Sequence, residues 1–97
     1  MAKYIMLLNW TDQGIRNVRE SPKRLDAAKA LAQKLGGEIK KFYMTTGIYD
    51  MVVVLELPDD EAAAKFALAT GTAGNVHTHT LKAFSEASYR SILGSLP

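Results

Sequence analysis

The segment YDMVVVLEL, residues 49–57, has the strongest strand pattern in the chain. Side chains in a strand alternate between two faces, so every second residue from Met51 to Leu57 lies on one face, and all of these are apolar. The opposite face carries two valines between two carboxylates, at Asp50, Val52, Val54 and Glu56. A sheet that contains this strand therefore has one fully apolar face and one mixed face.

Three further strands are predicted from apolar runs and alternating patterns, at residues 3–10, 38–44 and 76–84. The connection at residues 45–48 is short enough for a hairpin, and Gly47 supplies a residue that can reverse the chain. The four strands are separated by segments with the periodicity of helices.

The first helical segment begins after Thr11, which is predicted to cap it. The segment itself carries a short apolar stripe. A break is predicted near Ser21, because the following Pro22 cannot take part in an intrahelical hydrogen bond. Ser21 is predicted to cap the restarted helix. Leucines and alanines then recur at helical spacing until Gly36 provides a left-handed stop.

Two more helices are predicted, an alanine-rich one at residues 61–69 and a C-terminal one at about 85–94, capped by Ser85. The order is βαββαβ followed by a helix. Right-handed crossovers fold this order into an α+β ferredoxin-like sandwich, in which a four-stranded antiparallel sheet carries two helices on one face. Residues 1–97 are predicted to form a single domain.

The uncovered face of that sheet holds Val52 and Val54. An exposed apolar patch on a sheet face usually marks an interface. The sequence therefore predicts that two copies of the chain associate through this face as a homodimer or a larger homo-oligomer.

Composition excludes several classes of function. The chain has no cysteine, so thiolate catalysis, disulfides and iron–sulfur chemistry are excluded. No signal peptide or membrane span is recognisable, which favours a cytoplasmic protein that does not act on a membrane. Basic residues are frequent between positions 16 and 41, but their helical spacing favours a solvated face, and no nucleic-acid partner is predicted.

Residues 3–84 resemble the GYD domain family. The family's named residues match Gly47, Tyr49 and Asp50. The segments LPDDEAAA at 57–64 and GNVHTHTLKAF at 74–84 are similar to the family's second helix and last strand. The resemblance implies a small bacterial protein of largely uncharacterised function.

The GYD family is in turn similar to the dimeric α/β barrel group, in which two ferredoxin-like sheets close face to face. Members of that wider group include cofactor-free monooxygenases, haem enzymes, muconolactone isomerases and ligand-sensing regulatory domains. The resemblance therefore implies a barrel-forming dimer, and fold alone selects no activity among these.

The tyrosine–aspartate pair does not form a direct dyad, because adjacent strand residues face opposite sides of the sheet. Tyr49 is predicted on the helix-covered face and Asp50 on the uncovered face. Asp50 either lines the barrel cavity or accepts hydrogen bonds from turn amides near Gly47. If the barrel is an enzyme, the catalytic candidates are Asp50, Glu56 and Asn9, the last being similar to polar cavity residues of cofactor-free monooxygenases.

A cavity of this kind would bind a small apolar or aromatic ligand. The candidate ligand-binding residues are Asp50, Val52, Val54, Trp10 and Tyr49. Trp10 has an alternative interpretation as a core residue at a strand end.

His77 and His79 lie two apart on the fourth strand and therefore share a face. Two imidazoles can bind one metal ion if a third ligand joins them. Surface histidines on an edge strand are the alternative, and the sequence predicts neither a metal nor a cofactor.

Two functions follow as hypotheses. The first is a homo-oligomeric module that binds a small ligand or acts through assembly, without catalysis. The second is a cofactor-independent enzyme of the monooxygenase or isomerase type that acts in the barrel cavity.

Overall fold

The computed structural model describes all 97 residues. The elements, in chain order, are β1 (Ala2–Trp10), α1 (Asp12–Arg16), a 3₁₀ turn (Val18–Glu20), α2 (Ser21–Lys34), β2 (Glu38–Met44), β3 (Met51–Leu57), α3 (Asp60–Thr72), β4 (Val76–Ala83) and α4 (Glu86–Gly94). None of these helices combines the length and the apolar character that a membrane crossing requires.

The four strands form one antiparallel sheet in the order β2-β3-β1-β4. The register of the central pair runs from Ala2 opposite Leu57 to Leu8 opposite Met51. A bulge between Ile39 and Lys41 shifts the register of β2 against β3. This arrangement confirms the predicted ferredoxin-like sandwich.

One face of the sheet is covered by α2 and α3 and forms the core. The buried residues of β1 and β3 alternate along each strand, as the sequence pattern predicts for Met51–Leu57. The helices add small residues and one large one. The core cluster comprises Tyr4, Met6, Leu8, Ala32, Met51, Val53, Leu55, Leu57, Ala62, Ala63 and Phe66.

The other side of the sheet has no helix on it, and we call it the open face. Directly paired residues on neighbouring strands point to the same side of a sheet, so the register identifies its members. Its apolar residues are Ile5, Leu7, Tyr43, Val52, Val54 and Leu81. Tyr43 and Leu81 are 55% and 50% exposed.

Helix boundaries agree with the sequence except in local detail. The side chain of Thr11 accepts a hydrogen bond from the amide of Gly14, as a cap should. Ser21 was predicted as a cap, but its backbone is already helical, and the chain breaks earlier, around Asn17. At the other end of α2, Gly36 has φ 89°, which confirms the left-handed stop.

The C-terminal helix α4 begins where the sequence predicts, with Ser85 accepting a hydrogen bond from the amide of Ser88 at 3.1 Å. Every residue of α4 is exposed, and the helix makes no more than marginal contact with any other element. Its apolar residues Tyr89, Ile92 and Leu93 follow the i, i+3, i+4 spacing of one helix face. This apolar stripe has no partner within the chain.

A hydrogen bond joins the first turn of α3 to β1. The phenol of Tyr4 donates to a carboxylate oxygen of Asp60 at 2.5 Å, and the Lys82 ammonium lies 3.0 Å from the same oxygen. Burial, together with the adjacent Asp60 carboxylate, raises the pKa of Tyr4 to about 12. The donated hydrogen bond, followed by Lys82, lowers the pKa of Asp60 below its usual value.

Replacing Tyr4 with phenylalanine removes this bond while keeping the buried ring. At pH 8 we expect Tyr4→Phe to lower the free energy of unfolding by about 1–2 kcal/mol. Because unfolded Tyr4 ionises near 10.0 and folded Tyr4 near 12, its contribution is complete below pH 10 and is lost between these values. Urea unfolding at pH 8 and pH 11 should therefore show a smaller difference between the two proteins at pH 11.

Tyr89→Phe is the matched control, since Tyr89 is 53% exposed on α4 and should leave stability unchanged. An equal deficit of Tyr4→Phe at both pH values would contradict the assignment.

Candidate functional site

The residues of the GYD match lie where β3 leaves its pairing with β1. The backbone N–H of Asp50 donates to the carbonyl of Leu8 at 2.9 Å. Further along β1, the backbone N–H of Trp10 has no backbone carbonyl of β3 as its partner. The Asp50 carboxylate accepts from this N–H instead, at 2.9 Å. The side chain of Asp50 thus replaces a backbone carbonyl and extends the β1–β3 ladder by one hydrogen bond.

Asn9 secures the same loop. Its side-chain amide donates to the carbonyl of Ile48 at 2.7 Å and lies 3.5 Å from the Asp50 carboxylate. The sequence offered barrel lining or turn amides as roles for Asp50. The observed partner is instead the amide of Trp10, on the neighbouring strand.

Gly47 lies at the exposed tip of this loop. Its φ of 151° is a conformation that glycine adopts readily and other residues rarely do. A side chain at this position would meet no atom within 4 Å, so the requirement for glycine is conformational and not steric. This agrees with the predicted hairpin role.

Tyr49 does not pack under a helix, so that prediction is wrong. Its ring meets the ring of His79 edge-on, with centroids 5.7 Å apart and planes at 66°. His79 pairs with Leu7 and therefore lies on the open face. The alternation argument failed because β3 begins only at Met51, so Tyr49 belongs to the loop and is free of the strand's alternation.

Glu56 lies at the opposite end of β3 from Asp50, about 20 Å away at the rise of an extended strand. It forms an ion pair with Lys3 at 3.2 Å, and this hydrogen bond lowers the pKa of the Glu56 carboxyl. Of the three catalytic candidates, the fold therefore brings Asn9 and Asp50 together and leaves Glu56 apart.

His77 and His79 share one face, as predicted, and this is the open face, where they pair with Asn9 and Leu7. No group of three or more histidine, cysteine, aspartate or glutamate side chains is gathered anywhere in the fold. The Asp50 carboxylate, in the loop next to Asn9, is held by the backbone amide of Trp10. The histidine pair therefore has no third ligand within the chain.

Trp10 lies on the other side of the sheet from Val52 and Val54, so the predicted ligand-binding residues do not form one site. Trp10 follows Asn9 on β1 and packs against the helix-covered core. There it lines a cavity of about 230 Å³ between the sheet, α2 and α3.

This cavity is not predicted from the sequence. Nineteen residues line it, fifteen of them apolar, and several are the alanines that identified the helices. Small residues facing a sheet from two helices are the signal that could have indicated a gap. On their own they were equally consistent with helices packed close to the sheet.

The fold and the loop define the class of protein as a ferredoxin-like α+β domain with an open sheet face. The GYD domain model matches residues 4–93, so the chain belongs to the GYD domain family. This match confirms the resemblance and extends it into α4.

Solved structures share the fold at low identity. MtbAldR superposes with a TM-score of 0.68 at 13% identity, over 88% of this chain and 52% of its own. TTHA0845 from Thermus thermophilus gives 0.55 at 23% identity, over 88% of this chain and 95% of its own. The Mycobacterium tuberculosis leucine response regulatory protein LrpA gives 0.57 at 17% identity, over 87% and 51%.

The chain thus spans about half the length of MtbAldR and LrpA and nearly all of TTHA0845. At these identities the likeness establishes the fold. No curated protein sequence matches the chain.

We expect Asp50→Ala to lower the free energy of unfolding by about 1–2 kcal/mol, because the half-buried amide of Trp10 loses its acceptor. Asp50→Asn keeps an oxygen at this position and should lose less than half as much. Thermal and urea unfolding, followed by circular dichroism, measure both.

Asp26→Ala is the control, since Asp26 is exposed on α2 and should show no loss. Full stability of Asp50→Ala would show that the observed bond contributes nothing.

Proposed function

We propose that this protein is a homo-oligomeric small-ligand-binding module without catalysis, in which two copies pair through their open faces to form a dimeric α/β barrel. The observation that carries the proposal is the apolar strip on the open face. It runs across all four strands through Tyr43, Val52, Leu7, Ile5 and Leu81. Patches of this kind on a sheet mark protein interfaces.

The energetics favour association. Burying about 500 Å² of apolar area contributes on the order of 12 kcal/mol per subunit at 25 cal/mol per Å². Association costs about 4–15 kcal/mol in lost translational and rotational freedom, before side-chain ordering. The hydrophobic contribution of the two subunits together therefore exceeds the cost of association.

The layout of the open face is also that of an interface. Its apolar centre is bordered at one end by two ion pairs, Lys3 with Glu56 at 3.2 Å and Lys40 with Glu38 at 2.7 Å. A polar rim around an apolar centre is the usual anatomy of a protein interface. The ion pairs satisfy these four charges within each subunit, whereas Lys41, which pairs with Val54 on the same face, has no ion-pair partner in the chain.

The C-terminal helix supports the same conclusion. An isolated helix of nine residues is marginal in water, and α4 gains little packing from its own chain. Its apolar stripe of Tyr89, Ile92 and Leu93 would be covered if it docked on a second copy. We therefore include α4 in the proposed dimer contact.

The proposal includes no catalysis because the candidate catalytic residues are either hydrogen-bonded within the chain or far from the others. The Asp50 carboxylate and the Asn9 amide are bonded to the backbone of the loop and of β1. Glu56 is far along the strand. A general acid or base needs a free group within reach of a substrate, and these groups are already engaged.

One observation favours the alternative enzyme. Asn9, Tyr49, His77 and His79 lie together at one end of the open face. If the barrel encloses this end, a cofactor-independent monooxygenase or isomerase would have imidazole and phenol groups available. The binding role is supported instead by the fold shared with LrpA, whose name is leucine response regulatory protein.

Val54→Glu tests the dimer, because it places a charge at the centre of the proposed interface. Wild type should sediment at twice its chain mass of 10.6 kDa at micromolar concentration, and the variant at 10.6 kDa. Ala30→Glu adds the same charge on the exposed side of α2 and should stay dimeric.

Because Val54→Glu could unfold an obligate dimer, Ile92→Glu on the exposed α4 serves as a second variant, expected to weaken the dimer and retain the circular dichroism spectrum. A wild-type monomer at micromolar concentration, or a dimeric Val54→Glu, would overturn the proposal.

A further inference from the structure

The cavity behind the sheet has room for a small molecule. Its volume is about 230 Å³, and it lies between the helix-covered face, α2 and α3. An apolar protein cavity of about 150 Å³ is large enough for benzene. One six-membered ring with a small substituent therefore fits in the space that the structure provides.

The cavity follows from the residues that the helices turn towards the sheet. Ala27 and Ala28 of α2, with Ala69 of α3, stand where longer side chains would fill the gap. Protein interiors are close-packed, and voids larger than a water molecule are few. The flexible side chains of Met6 and Met51 line the floor on the sheet side, and methionine adapts to irregular contents.

A buried hydrogen-bond donor lacks a partner at this cavity. The indole Nε1 of Trp10 is the one buried side-chain nitrogen or oxygen in the fold without a hydrogen-bond partner. Trp10 itself lines the cavity. An indole N–H can only donate, so a molecule that carries an acceptor into the cavity would satisfy it.

The other polar groups of the lining limit what that ligand can be. Arg24 donates to the carbonyls of Asn17 and Gly14 at 3.1 and 3.4 Å, and Thr70 donates to the carbonyl of Phe66 at 2.7 Å. No carboxylate belongs to the lining. The lack of a carboxylate disfavours a cation, and a mostly apolar lining makes it costly to take any ion out of water, so a neutral occupant is favoured although the Arg24 guanidinium attracts anions.

We propose that the cavity binds a neutral one-ring molecule that carries a single hydrogen-bond acceptor, such as a carbonyl oxygen, and that the indole N–H of Trp10 donates to this acceptor. The site gives the small-ligand-binding role proposed above a location and a ligand class. It lies on the opposite face of the sheet from the proposed dimer interface. The occupant fills the void and satisfies the unpaired donor at the same time.

The test uses three probes of equal ring size: cyclohexanone, cyclohexane and cyclohexanecarboxylate. Trp10 is the only tryptophan in the chain, so the ¹⁵N-labelled protein has a single indole N–H resonance. Cyclohexanone should move this resonance downfield, because its carbonyl accepts from the indole N–H, whereas cyclohexane should bind without this downfield shift. Cyclohexanecarboxylate should bind more weakly than the ketone.

Two variants test separately the hydrogen bond from Trp10 and the volume of the cavity. Trp10→Phe should weaken the binding of cyclohexanone about tenfold, because the buried carbonyl loses its donor, and should leave the affinity for cyclohexane nearly unchanged, with the methyl resonances of Met6 and Met51 as the readout. Ala28→Leu should fill the cavity, abolish binding of every probe and raise the melting temperature. Ala30→Leu is its control on the exposed side of the same helix and should bind as wild type does.

An indole resonance that none of the probes moves would overturn the proposal. So would a Trp10→Phe variant that binds cyclohexanone as tightly as wild type does, a preference for the carboxylate, or an Ala28→Leu variant that is less stable than wild type. The monomeric Val54→Glu variant should still bind cyclohexanone, so loss of the dimer and loss of the ligand site are distinguishable.

Discussion

β1 and β3 form the centre of the sheet, and their antiparallel register decides where every other feature lies. From Ala2 opposite Leu57 to Leu8 opposite Met51, each pair of residues points to the same face. The side chains of both strands are therefore divided between one face that is buried under α2 and α3 and one face that is left open. The cavity belongs to the first face, and the proposed dimer interface belongs to the second.

Sequence reasoning was reliable inside this ladder and failed where the ladder ends. Within residues 51–57 the alternation predicted which side chains are buried, because hydrogen bonds on both sides fix the strand. At Tyr49 the same argument gave the wrong face, because the strand has not begun there. At Asp50 it could not show that a side-chain carboxylate takes the place of a missing backbone carbonyl. Such a substitution depends on the neighbouring strand, which one segment does not describe.

The cavity could not be predicted for a related reason. Alanine favours helices for reasons internal to the helix, so the alanines of α2 and α3 identified the helices correctly. The spacing between these helices and the sheet depends on all the side chains between them. Trp10 shows the same limit, since its place among core residues was foreseen as an alternative, but not that its indole N–H would be left without a partner.

The three residues that give the family its name can now be assigned separate physical roles. Gly47 allows the turn, and Tyr49 lies over the open face against His79. Asp50 binds the backbone of Trp10, whose side chain lines the cavity on the other face. The loop is therefore in contact with both faces through adjacent residues of β1, with Asn9 on the open side and Trp10 on the covered side. A substitution in the loop would therefore affect the structure of both faces, whereas a substitution of Val54 or of Ala28 would affect only one face.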